Sequence, residues 1–81
     1  MAKSLHTPEH ERFRALLVKA REDSCLTQSQ VSAKLNRPQS FVSKVESGER
    51  RLDVVEFVQL CGVLGADPVS IVAQLKDGSG A

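Results

Sequence analysis

Apolar residues in this chain recur at helical spacing, and no segment alternates with the two-residue period of a strand. Phe13, Leu16, Leu17 and Ala20 form one stripe. Thr7 ahead of Pro8 reads as an N-cap followed by the residue best tolerated at the first helical position. Glu9 and Glu11 favour the positive end of the helix dipole. A first helix over residues 8–23 is predicted. Thr27-Gln28-Ser29-Gln30 has the form of a capping box and opens a short second helix, with Val31 and Leu35 inward. Asn36 tolerates the left-handed conformation that ends a helix. Pro38 biases Arg37 away from helical geometry and reopens a helix at its own position.

Asn36 and Arg37 are thus expected to carry the turn into a third helix, about 38–47, with Val42 and Val45 inward and Gly48 at its end. Asp53 with Glu56 caps a fourth helix, whose Val54, Phe57, Val58, Cys61 and Leu64 are expected to face the core before Gly65 closes it. Asp67-Pro68 repeats the cap-then-proline signal and opens a fifth helix through Val69, Ile71, Val72 and Leu75. Residues 77–81 read as a polar tail. The expected architecture is an all-α, five-helix bundle, a single domain over residues 1–76.

Length and composition narrow the function. A chain of 81 residues holds one small core. The first residues carry no apolar stretch of the secretory kind, and no run approaches the roughly 20 apolar residues of a membrane span. Cys25 and Cys61 make no disulfide framework and read as small apolar fillers, which suits a cytoplasmic protein. His6 and His10 stand four apart, but His6 precedes the first cap, so no metal site is expected. No Ser–His–Asp, paired-carboxylate or phosphate-loop pattern is present, so neither an enzyme nor a cofactor or small-molecule ligand is expected.

Net charge is only +1, yet it is unevenly placed. Residues 34–51 carry Lys34, Arg37, Lys44, Arg50 and Arg51 against Glu46 and Glu49, a net of +3. Residues 52–81 carry a net of −3. A polyanion would meet the middle of the chain.

The second and third helices form the informative pair. A short link makes them cross steeply and calls for small residues at the crossing, which Ser32 and Ala33 supply. At 100° per residue, Gln39, Ser40, Ser43, Lys44 and Ser47 cluster opposite Val42 and Val45. These hydrogen-bonding groups suit base edges in a major groove, which admits one helix. Arg50 and Arg51 follow where a phosphate backbone would lie. Lys34 and Arg37 read equally as phosphate contacts or as ordinary surface charges. Phe41 reads as a core-edge residue rather than a contact to a thymine methyl.

Residues 21–31, Arg-Glu-Asp-Ser-Cys-Leu-Thr-Gln-Ser-Gln-Val, and 38–51, Pro-Gln-Ser-Phe-Val-Ser-Lys-Val-Glu-Ser-Gly-Glu-Arg-Arg, resemble the lambda-repressor-like, or Xre-type, helix-turn-helix regulators. The resemblance extends over about residues 10–75. It implies that Gln28 touches a DNA phosphate, that Gln39, Ser40 and Lys44 read bases, and that Ser43 lies nearer the backbone. It also implies that Arg21 and Glu46 pair, tying the first helix to the end of the third. Asn36 replaces a usual glycine, and Ser32 a usual alanine; both are tolerant substitutes. The expected function is sequence-specific binding of double-stranded DNA as a homodimeric transcriptional repressor, with half-sites about one helical turn apart. Surplus apolar residues on the fifth helix are one candidate pairing surface. The alternative is a protein-interaction module, an antitoxin or anti-regulator, whose DNA binding is secondary.

Overall fold

The helix starts follow from caps. In the computed structural model, which describes residues 7–78, the Thr7 hydroxyl accepts the His10 N–H at 3.2 Å and starts α1 (Pro8–Asp23). His6 and residues 79–81 lie outside the described residues. Thr27 and Gln30 bond reciprocally, at 3.1 and 2.8 Å, and start α2 (Gln28–Lys34). Asp53 and Glu56 repeat that box at 2.7 and 3.1 Å ahead of α4 (Val54–Leu64). Asp67 accepts the Val69 N–H at 3.0 Å and starts α5 (Pro68–Asp77), which therefore takes in one residue expected in the tail. Among the described residues these four and α3 (Phe41–Ser47) are the whole regular structure.

The third helix departs from expectation. It begins at Phe41 rather than Pro38, and the connection from α2 runs over residues 35–40. The Phe41 N–H bonds to the Pro38 carbonyl at 2.9 Å, and Ser40 sits at φ −84°, ψ 0°. That is the second central position of a type I turn. Pro38 thus opens a turn, and the helix starts once the turn is complete. No side chain of the preceding segment caps α3. Instead Ser32, fully buried in α2, accepts the Val42 N–H at 3.1 Å.

Helix ends follow left-handed residues. Gly48 and Gly65 take φ 87° and 67°, and Asn36 takes φ 57°. Behind Asn36 the Arg37 N–H returns to the Ser32 carbonyl at 2.9 Å, closing a Schellman end. Cys25 also adopts φ 62°, at the end of α1, and is exposed. The filler reading of Cys25 is therefore wrong: it occupies a backbone position that ends a helix, while Cys61 is fully buried.

The core unites Leu17, Val31, Phe41, Val42, Val45, Phe57, Leu60, Cys61, Leu64 and Ile71. Phe13 meets Phe57 edge to face at 5.4 Å, joining α1 to α4. The inward face of α4 is 57, 60, 61 and 64, so two expected core residues are displaced: Val54 is 76% and Val58 50% exposed. Phe57, Cys61 and Leu64 face inward as expected; helical spacing admits Val54, Val58 or Leu60 beside them, and packing against the bundle selects Leu60. On α5 only Ile71 is buried, while Val69 and Val72 face outward. Among the described residues no single helix is long and apolar enough to cross a membrane.

Candidate nucleic-acid interface

The crossing of α2 and α3 brings the polar residues of the turn and both helices to one side. Gln28, Ser29, Gln39, Ser40 and Ser43 line an open hollow between the starts of the two helices. Gln39 and Ser40 are exposed on the turn ahead of α3, and Ser43 and Lys44 lie in its first turn, Lys44 exposed. The Gln39 amide donates to the Ser29 hydroxyl at 3.2 Å, which links the turn to α2. The Ser43 hydroxyl donates to the Ser40 carbonyl at 2.9 Å, so its lone pairs remain toward solvent. Ser47 donates to Glu49 at 2.9 Å and is engaged at the far end of the helix.

Behind this surface stands an ion pair. Arg21 Nε donates to Glu46 Oε2 at 2.8 Å and Nη2 to Oε1 at 3.2 Å, a two-point contact between α1 and α3. The side chains are 15% and 8% exposed. Arg21 also donates to the Leu26 carbonyl at 3.0 Å, holding the loop before α2. Glu46 Oε1 further accepts the Gln28 amide at 2.8 Å. One N–H of Gln28 is thereby fixed, and the second is left for a partner outside. The sequence did not point to this link between Gln28 and Glu46, because it joins two helices across the turn.

Glu56 is the other residue that sequence reasoning underestimated. Beyond capping α4, it binds two arginines expected at DNA phosphate: Arg37 Nη2 at 2.7 Å, and Arg50 through Nη1 and Nη2 at 3.0 and 2.9 Å. Both guanidinium groups lie 4.8 Å from the Phe41 ring centroid, within cation–π range. Phe41 is buried, in keeping with a core-edge role. The hydrogen bond from Arg50, then that from the Asp53 N–H, holds the Glu56 carboxyl down to about 2. Arg51 is exposed, and with His10, Arg14 and Arg50 it rims a small hollow floored by Phe13, Val45 and Leu52.

The arrangement offers a hydrogen-bonding surface with exposed Lys44 beside it, braced by a partly buried ion pair. Comparison with known proteins agrees with it. A family model described as a helix-turn-helix domain matches residues 12–73. An XRE-family like protein from Pseudomonas syringae pv. tomato str. DC3000 has a solved structure 43% identical in sequence. It superposes with a TM-score of 0.84 over 93% of this chain and 92% of that one. No curated protein matches the chain. The matched length, the identity and the geometry of the two central helices lead to one conclusion: the chain belongs to the Xre-type helix-turn-helix family of DNA-binding proteins.

Proposed function

We propose that this protein is a sequence-specific regulator of transcription, a repressor, that reads the major groove of double-stranded DNA. The observation that carries the reading is the joint placement of Gln39, Ser40 and Ser43 around one open hollow, with exposed Lys44 next along α3, while Val42 and Val45 are buried. Gln39 has the amide geometry for an adenine edge, Lys44 the charge for guanine O6 and N7, and Ser40 a hydroxyl for either base pair. Gln28, through its second amide N–H, Ser43 and Arg51 serve the phosphate backbone, which sets register rather than sequence. Arg37 and Arg50 flank the reading segment in the chain, and their availability to phosphate turns on Glu56. Such a protein works in the cytoplasm.

The regulator acts as a homodimer. One reading head of this size spans few base pairs, and a symmetric pair doubles the site. Support comes from the valines that the fold leaves outside: Val54, Val55 and Val58 on α4, and Val69 and Val72 on α5, each at least half exposed. Exposed apolar patches of this kind mark association surfaces. On α4 they stand with Gly62, where an added Cβ would meet nothing within 4 Å of this chain.

Selection of duplex sites from random DNA, at two salt concentrations, tests the reading. The expected product is a two-fold-symmetric motif with half-sites roughly 34–36 Å apart, bound less tightly at the higher salt. No enrichment at either salt would reject the regulator. A stoichiometric protein co-purifying on the valine surface would then favour an antitoxin or anti-regulator.

A further inference from the structure

Glu56 is placed where a DNA-binding protein gains little stability from an acid. Helix α4 does not need the charge, because a capping box takes glutamine as readily as glutamate. The charge adds only modestly to stability: Glu56 is largely buried, but the side chains of Arg37 and Arg50 are more than a third exposed, and water screens ion pairs open on one side. Both arginines already cover the Phe41 ring. What the carboxylate does change is the local charge. It converts two cations beside the reading segment into a group of net +1. It also occupies one N–H of Arg37 and two of Arg50, one on each Nη, and draws both guanidinium groups toward α4. Arg50 Nη1 is bound a second time, to the Arg51 carbonyl at 2.6 Å.

We propose, resting on the DNA-binding reading above, that Glu56 restrains attraction to phosphate and so sets specificity. By holding Arg37 and Arg50 to itself, it withholds two phosphate ligands that would bind every duplex alike. Binding to arbitrary DNA comes almost wholly from neutralised phosphates, whereas base contacts distinguish sites. Removing two phosphate contacts therefore lowers the affinity for random DNA more, relative to the competition for a cognate site, than it harms base readout. The modest net charge of the chain, +1, accords with a protein that limits its non-specific grip.

The test compares the full chain with Glu56→Gln, which keeps the cap and the shape, and with Glu56→Asp, which keeps the charge. Each is titrated against a random duplex and against the selected site over a range of salt, and each is checked for folding by thermal unfolding. For Glu56→Gln the random duplex should bind about tenfold tighter, with a salt slope steeper by about one to two units. Preference for the selected site should narrow by a similar factor, while Glu56→Asp stays close to wild type. An unchanged random-duplex affinity and slope in a folded Glu56→Gln protein overturns the proposal and leaves Glu56 a structural residue. Should Glu56→Gln fail to fold, Arg37→Gln decides. A slope unchanged from wild type supports the restraint, and a slope shallower by about one unit shows that Arg37 already meets phosphate, against the proposal. Wild-type protein without salt-dependent binding to any duplex rejects the DNA-binding reading itself, a result distinct from all of these.

Discussion

The Ser32 hydroxyl in the middle of α2 accepts the Val42 N–H in the first turn of α3, at 3.1 Å and out of contact with water. A helix normally finds such a bond in its own N-cap, but Ser40 supplies none here. The bond therefore does two things: it caps the reading helix, and it fixes that helix against its neighbour.

Ser32→Ala should leave a buried N–H without an acceptor. The cost of an unmade buried bond is about 1–3 kcal/mol, offset by alanine's better helix propensity of roughly 0.5 kcal/mol. A net loss of about 1–2 kcal/mol is expected in chemical denaturation. A variant as stable as wild type would show that the hydroxyl is dispensable at the crossing.

Cys25→Gly should stabilise the protein. The residue holds φ 62° in an exposed position, where a side chain is disfavoured and glycine is not. A gain of about 1 kcal/mol is expected, seen as a raised unfolding midpoint. An unchanged or lowered midpoint would mean that the thiol makes a compensating contact.

Glu46→Ala should be costly, because it strands the Arg21 guanidinium and releases the Gln28 amide together. Breaking a pair that is only partly buried costs about 1–3 kcal/mol, less than a fully buried one. Equilibrium unfolding measures this. A loss well below 1 kcal/mol would show that water replaces the carboxylate.

Lys44→Ala should weaken binding to the selected site by about 1–3 kcal/mol and relax preference at one base pair. Competition with singly substituted sites reads it out. An equal loss on every sequence would assign Lys44 to phosphate instead.

Acid should destabilise the fold modestly through Glu56, whose arginine partners are more than a third exposed and partly screened by water. Its carboxyl is held below the ordinary 4.5, at about 2, so its contribution is complete above 4.5 and disappears as pH falls toward 2. Unfolding measured against pH should show a descending limb in that interval, flatter in Glu56→Gln. Equal limbs in the two proteins would trace acid denaturation to other carboxylates.

The outline of this protein was legible in its sequence because it rests on local chemistry. Thr7, Thr27, Asp53 and Asp67 each cap the helix that follows, and Asn36, Gly48 and Gly65 each take the left-handed conformation that ends one. Caps and left-handed ends act over a few residues, so composition and order suffice to find them. The polar cluster of Gln39, Ser40, Ser43 and Lys44 was visible for the same reason, although three of its supports were not. Whether Pro38 opens a helix or a turn depends on whether α3 finds another cap, and Ser32 supplies one from ten residues away. How far the inward face of α4 extends depends on Phe13 and the rest of the bundle, since periodicity places Val54 and Val58 beside Phe57 and does not single out Leu60. The pairing of Arg37 and Arg50 with Glu56 joins charges 19 and 6 residues apart. Local signals set where each helix begins and ends; only the packing of one helix against another decided which groups meet, because those contacts depend on distance in space and not along the chain.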